Sequence, residues 1–556
     1  MSSEDTPAAF DVVIIGAGVN GAGLFRDLSL QGVNCLITEK ADFGAGTSAA
    51  PSRLIHGGLK YLETGEFGLV AQSTLERNLL LRNAPHCVEP LPTMIPIFSW
   101  TKGIWAALRT LFGSTSAPRS RGAILVKIGL WLYDFYGARH RVMPRHKLVG
   151  RRRALSDMPG LTDTIVAAGT YYDARITQPE RLVMEMIRDG LAANPSSSAL
   201  NATTIRAADA DRIVFETEAG ETLSVKPGLV VNAAGPWIDH VNAMLGFQTK
   251  LIGGTKGSHV LLRNDELVKR LAGRMIYFEA DDGRICLVYE YLGLALAGST
   301  DIPADNPDDV RCEDDEIAYF INSLKALLPG LEIGEEQIVY AYSGIRPLPA
   351  SDADIPGLIS RDHSAPVLEA DEARRFAIIP LIGGKWTTFR GFAEEVADTI
   401  LQRLGRDRRI STEKSPIGGG RDFPTDAAAR RAWIADAAQT TGLAEARIDE
   451  LLTRYGTTAR AIAAYEASFG NQERLPQASE YSVAEIDWIT RNEFVTHLAD
   501  IVMRRTTLAI TGRLHKSDIE RIAEVTGDVL GWSAETRAAE IAAVEEHLHT
   551  VNRVRL

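Results

Sequence analysis

Cysteine is scarce in this chain: Cys35, Cys87, Cys286 and Cys312 are scattered through 556 residues without a C-x-x-C pair. That spacing excludes a regular disulfide framework, suits a reducing compartment and assigns no metal site. Long apolar runs are missing as well, and no stretch reaches the ~18 residues that a bilayer-spanning helix needs. Met1–Phe10 is short and polar, unlike a secretory leader, so the cytoplasm is the expected location. Excess positive charge is absent. A formal net charge of −12 argues against a nucleic-acid binder, while leaving room for a local basic surface. The length accommodates two or three domains with a sizeable core.

What is present starts with Asp11–Glu39, DVVIIGAGVNGAGLFRDLSLQGVNCLITE. An apolar strand runs into G-x-G-x-x-G at Gly16, Gly18 and Gly21, then a helix, then a second strand ending in Glu39. Glycines let the backbone approach a pyrophosphate, and the helix N-terminus offers N–H donors and a favourable dipole. Glu39 is placed to accept from a ribose 2′-hydroxyl. This context makes the fingerprint specific for a dinucleotide, without separating NAD from FAD.

The next segment, Gly46–Tyr61, reads GTSAAPSRLIHGGLKY and is too polar for a core strand. Four further blocks follow in order: NAAGPWID at 232–239, KGSHVL at 256–261, YSGIRPL at 342–348 and GGKWTTFR at 383–390. Together these blocks resemble the FAD-dependent glycerol-3-phosphate dehydrogenase/oxidase family over roughly residues 10–400, and Glu485–Thr506 resembles the family's C-terminal domain.

The resemblance implies an α/β fold in which a Rossmann-type FAD-binding domain interleaves with an antiparallel substrate sheet, followed by an all-helical C-terminal domain. Residues 1–410 form the oxidoreductase region. FAD-binding segments fall at about 1–98, 150–250 and 340–410, and the substrate sheet at about 251–340. Turn-rich Ser415–Pro424 reads as a linker, and 421–556 as the helical domain, expected to serve packing or homodimerisation. Pattern also predicts a helix over Ile176–Leu191, and one running from Lys385 to about Leu404.

The implied chemistry is oxidation of the C2 hydroxyl of sn-glycerol 3-phosphate to dihydroxyacetone phosphate, with the hydride going to flavin N5 and the electrons on to a quinone. An oxygen-using oxidase, or the same chemistry on a tetritol phosphate such as erythritol phosphate, stays open. Such a reaction needs a base, cations for the phosphate and stabilisation of the reduced flavin. His56 and His259 are the candidate bases, each with a plain alternative as an orienting or strand histidine. Arg346, between Ile345 and Pro347, is the expected substrate-facing cation, with a buried ion pair as its alternative. Lys60, Tyr61 and Lys385 are expected to help hold the phosphate. Lys60 stands where the family more often has Arg, which replaces a fork of donors by a point charge. Beyond Gly16, Gly18, Gly21 and Glu39, cofactor contacts are expected from Thr47, Ser48, Ser52, Arg53, Leu54, Gly57, Gly58, Ala234, Gly235, Trp237, Gly384, Lys385, Thr387 and Thr388. The two threonines could equally cap the following helix.

Ser99–Arg153 stands out: it holds twelve Lys and Arg and one acid, Asp134, inside an acidic protein. Ile97, Phe98, Ile104, Trp105, Leu108, Leu111 and Phe112 recur near helical spacing, and a second apolar stretch, Ala123–Tyr133, precedes a run of arginines. That is the composition of an interfacial helix on an anionic leaflet, which would suit electron transfer to a quinone. The alternative is a helical hairpin packed on the cofactor domain.

Overall fold

Strands covered on both faces read as unbroken apolar runs, and the end of Ala8–Ile15 is of that kind. The computed structural model describes residues 7–62, 65–101, 122–280, 282–304, 306–350, 362–470 and 472–556, and places this strand within a seven-stranded sheet. Ser198–Leu200, Cys35–Thr38, Ala8–Ile15 and Thr222–Asn232 lie side by side in parallel, and Ala377–Pro380 pairs with the end of Thr222–Asn232. Ile213–Thr217 and Thr203–Ala208 extend the sheet in antiparallel fashion. One face is covered by the helices Val19–Leu30, Pro179–Ala193 and Phe389–Arg403, which pack Phe25, Leu28, Met186 and Phe389 into one buried cluster.

The turn after Ile15 tolerates only glycine at Gly16. Its φ is +103°, and a Cβ there would lie 2.6 Å from the Ala233 carbonyl oxygen. A Cβ on Gly21 would meet the Gly16 carbonyl at 2.0 Å, so the helix closes tightly on the turn.

The second sheet has ten strands. Its longest pairing joins Ile252–Leu262 to Ile338–Pro349, in a register that sets Thr255 opposite Arg346 and His259 opposite Tyr342. Met275–Glu279, Ile285–Tyr291 and Leu294–Gly298 continue it as antiparallel neighbours. The sheet also takes Val88–Ile97 and Ala167–Ile176, paired over their full length, from segments expected to bind FAD. Proline disguises the first of these strands. Pro90, Pro92 and Pro96 occupy alternate positions, so their missing N–H groups fall on one edge. The short pairing of Val88–Ile97, through Thr93 and Met94 alone, is with Met275–Glu279. The helix expected over Ile176–Leu191 is Pro179–Ala193, and Ile176 instead ends a strand.

The C-terminal part is helical, comprising Ala427–Thr441, Glu445–Tyr455, Ala459–Phe469, Val483–Asn492, Lys516–Leu530 and Ala534–Thr550. It packs on the second sheet, where Leu261, Tyr289, Tyr340 and Tyr342 share a core with Leu451, Ile489 and Leu508. Asn552 then pairs with the Ala341 backbone through both its carbonyl and its side-chain amide. Ser415–Pro424 is no free tether: Ile417 is buried, its N–H bonds the Asn83 carbonyl, and Gly418 donates to Asp189. Among the described residues no helix is long and apolar enough to cross a membrane.

Candidate active site

Both sheets contribute to one cavity of about 590 Å³. Its walls come from the glycine turn, the 45–61 loop, the 233–244 turn, the paired strands at 257–259 and 344–348, and the 383–387 turn.

The dinucleotide end is built by polar side chains that hold backbone. Glu39 accepts from the Ala17 amide (2.8 Å) and the Ala41 amide (3.2 Å), which keeps the acid at the glycine turn. Ser48 accepts the Val19 amide at the start of the first helix (2.9 Å), and Thr47 donates to the Ile345 carbonyl (2.6 Å), fastening the loop to the second sheet. Asn232 holds the following turn by donating to Ile238 and Asn242 and accepting from Ala234. Trp237 donates to Asp308 (2.8 Å), which also binds Lys40 (3.0 Å), and the Lys40 ammonium sits 4.0 Å above the indole. Lys40, Asp308, His240 and Thr203 also line the cavity and escaped the sequence reading, because no motif marks them and Asp308 comes from a distant loop.

The remaining wall carries the ionisable groups. His56, in a loop after the two-residue strand Leu54–Ile55, donates its amide to Thr387 (3.1 Å), and its ring lies 6.3 Å from that of Tyr61. The Lys385 ammonium lies 3.7 Å from the Tyr61 ring centroid. Arg346 binds Asp301 (3.0 Å), the Ser299 hydroxyl (3.1 Å) and the Thr300 carbonyl (3.1 Å) while still lining the cavity. Arg346 is thus ion-paired but only half-buried, and it lines the cavity. Gly257 makes room for it, since a Cβ there would lie 2.1 Å from the guanidinium. His259 is buried, hydrogen-bonded to Ser52 (2.8 Å) and stacked on Tyr342 at 4.9 Å. Burial, with the charges of Arg346 and Arg53, lowers its pKa to about 3, so it stays neutral at physiological pH.

Of the residues singled out from sequence, Gly16, Gly18, Glu39, Thr47, Ser48, Ser52, Leu54, His56, Tyr61, Ala234, Gly235, Trp237, His259, Arg346, Gly384, Lys385 and Thr387 line this cavity. Gly21, Arg53, Gly57, Gly58, Lys60 and Thr388 are not on its wall. Arg53 is turned away from it: buried at φ +52°, it binds Glu180 (2.7 Å) and the Tyr291 hydroxyl (3.0 Å), because a buried cation requires a partner. Gly57 packs instead against Tyr133, and Gly58 adopts φ +72° beneath the Tyr61 ring. The helix expected from Lys385 starts at Phe389. Gly383 and Gly384 have positive φ, while Trp386 donates to the Ser48 carbonyl and Thr387 accepts from His56, which holds 385–388 in a turn. Thr388 is at the N-cap position and buried, yet makes no side-chain cap. Among the described residues one cluster has metal-ligand chemistry, His86, Cys87 and Glu185, where His86 and Glu185 are joined at hydrogen-bond distance, 2.8 Å.

The glycine cradle, the acid at its rim and a cavity of this size fit a dinucleotide extending towards the ionisable wall. Comparison with known proteins agrees. The chain is 30% identical to a glycerol-3-phosphate dehydrogenase of Synechocystis over 97% of its length and 96% of that protein. It is 28% identical to D-erythritol 1-phosphate dehydrogenase of Brucella abortus, covering 93% and 97%. The crystal structure of the glycerol-3-phosphate dehydrogenase from Bacillus halodurans, complexed with FAD, shares the fold with a TM-score of 0.74 at 20% identity, covering 99% and 96%. Residues 11–399 match the FAD dependent oxidoreductase family and residues 410–537 the C-terminal domain of alpha-glycerophosphate oxidase. The chain therefore belongs to the FAD-dependent oxidoreductases, with FAD as its cofactor, and resembles the glycerol-3-phosphate dehydrogenases among them along its full length.

Proposed function

We propose that this protein oxidises the C2 hydroxyl of sn-glycerol 3-phosphate to the ketone of dihydroxyacetone phosphate. One observation carries the reading: two cations, Arg346 and Lys385, and two histidines, His56 and His259, line the same cavity as the dinucleotide cradle. FAD, when bound, supplies the acceptor for the C2 hydride. The chain's own residues bind the anion and take the proton. Lys385 and Arg346 supply positive charge for the phosphate and for the oxygen that becomes the ketone, with Tyr61 beside Lys385. His56 is assigned as the base. His259 is the weaker candidate, because its burial first, and then the charges of Arg346 and Arg53, oppose its protonation, and it serves as a fixed hydrogen-bonding group. Formation of dihydroxyacetone phosphate in equal amount to the acceptor reduced tests this; acceptor reduction without that product would contradict it. The Brucella relative favours a second reading, the same chemistry on a tetritol phosphate. Lys60, which offers one point charge in place of a fork, is consistent with either polyol.

For the electron acceptor we propose a quinone reached at a membrane surface. The support is the helix Ala123–Tyr136, whose Ile124, Ile128, Trp131 and Phe135 form an exposed stripe at helical spacing, with Trp131 62% and Phe135 65% accessible. Phe98 and Trp100 are also exposed. The opposite face packs inward through Val126, Leu130 and Tyr133, so one helix has both a packed face and an exposed apolar face. Arg139, Arg145, Lys147 and Arg151 follow it in the chain and are exposed, Arg139 beside Glu413 and Arg151 beside Asp163. Lys102, Ile104, Trp105, Leu108, Arg109, Leu111 and Phe112 lie outside the described residues. Replacing Trp131 and Phe135 together by Ser is expected to weaken sedimentation with anionic vesicles at least about 10-fold, since each buried aromatic contributes about 1.5–3 kcal/mol. Unchanged sedimentation would leave the stripe without this role.

A further inference from the structure

The inner face of the same helix reaches the catalytic loop. Gly57, the residue after His56, donates its amide to the Tyr133 hydroxyl (2.9 Å) and to Asp173 (3.0 Å). The His56 amide is held from another direction by Thr387. Tyr133 in turn donates to Asp173 and accepts from Arg77 (2.8 Å), which also binds Asp173 (3.1 Å) and the Tyr172 carbonyl (2.9 Å). Tyr133, Asp173 and Arg77 are all buried. The fit leaves no slack, because a Cβ on Gly57 would lie 2.4 Å from the Tyr133 oxygen and 2.5 Å from Thr74.

Seating the Tyr133 hydroxyl on a buried Arg77–Asp173 pair is a costly way to attach a helix, and apolar packing would serve better if attachment were the only need. Val126 and Leu130 already provide that packing. What the polar group adds is direction: each hydroxyl lone pair and the proton have one partner, and one of those partners is the peptide that carries His56.

We infer that Tyr133 is a positioning residue, which with Asp173 and Arg77 sets the placement of His56 through the Gly57 amide. The inference rests on His56 acting in the proposed reaction. It also means that one helix carries both the exposed apolar stripe and the contact that orients the reaction site.

The test compares the wild-type holoenzyme with Tyr133→Phe. In anaerobic rapid mixing with sn-glycerol 3-phosphate, the limiting rate of flavin reduction is expected to fall about 10- to 100-fold, as for a misplaced catalytic group, while substrate affinity changes far less. In protein carrying ¹³C-labelled histidine, the His56 imidazole line, assigned by its loss in His56→Gln, should move in Tyr133→Phe while FAD content is retained. An unchanged rate with an unmoved line would overturn the inference, as would a lower melting temperature with the rate per bound flavin unaltered. Asp173→Asn is expected to give the same pattern and takes the place of Tyr133→Phe if that variant does not fold. A wild-type protein that sn-glycerol 3-phosphate fails to reduce would sink the substrate reading alone, and the imidazole line would still decide the role of Tyr133.

Discussion

Arg346→Ala is expected to lower kcat/KM for sn-glycerol 3-phosphate by about 10³-fold, mostly through the rate of flavin reduction. A cation that meets charge developing on the reacting oxygen is worth about 10²–10³ in rate, and its loss also weakens the hold on an anionic substrate. The structure adds a reason for the size of the effect. Arg346 is held by Asp301, Ser299 and the Thr300 carbonyl, and Gly257 leaves space for it, so the guanidinium is fixed before substrate arrives. Arg346→Lys should recover only part of the loss, because an ammonium cannot satisfy the same fork. Steady-state and single-turnover kinetics check this. A variant with both affinity and reduction rate intact would remove Arg346 from the substrate site.

The second large effect concerns stability. Arg505 is fully buried and joins the C-terminal part to the cofactor loop, binding Asp42 through both oxygens (2.6 and 2.7 Å) and the Glu493 carbonyl (2.9 Å). Arg504 reaches the same carboxylate (2.5 Å). Arg505→Ala leaves buried acceptors underpaired, which costs about 3–5 kcal/mol. By calorimetry the first unfolding transition should fall by roughly 10 °C, at roughly 2–4 °C per kcal/mol for chains of a few hundred residues. Burial pushes Asp42 up, but Arg505 and Arg504 outweigh it and hold the carboxyl below its usual range. That contribution is therefore present above the ordinary Asp pKa of about 3.9 and disappears as pH falls through the folded value, so the gap between variant and wild type should narrow in acid. Because Asp42 follows Glu39 and Lys40 at the cavity rim, FAD should also dissociate more readily from the variant. An unchanged transition and unchanged flavin retention would show that the contact is dispensable.

Local constraints were the legible ones. Gly16, Gly21, Gly383 and Gly384 stand where backbone geometry admits little else, so their motifs announce the cradle and its opposite wall. Arg53 and Gly57 share a motif with His56, yet their side-chain surroundings come from Glu180 and Tyr133, far away in sequence. Nothing local distinguishes a loop residue facing a cavity from one facing the core. Val88–Ile97 hid its strand behind prolines, and its partner Ala167–Ile176 lies beyond the basic segment. The bond between Asp42 and Arg505 spans 463 positions and has no local signature at all. The helical period of the C-terminal part and the antiparallel sheet were both readable, whereas the packing of one on the other was not.

The central claim, a hydride-accepting site for a phosphorylated glycerol, is tested most directly by anaerobic mixing of the purified yellow protein with sn-glycerol 3-phosphate while flavin absorbance is followed. Rapid bleaching with sn-glycerol 3-phosphate, and not with glycerol lacking the phosphate, is the predicted result. A flavin that stays oxidised with sn-glycerol 3-phosphate but bleaches with a tetritol phosphate would contradict the substrate assignment, and one that no polyol phosphate bleaches would contradict the proposed reaction itself.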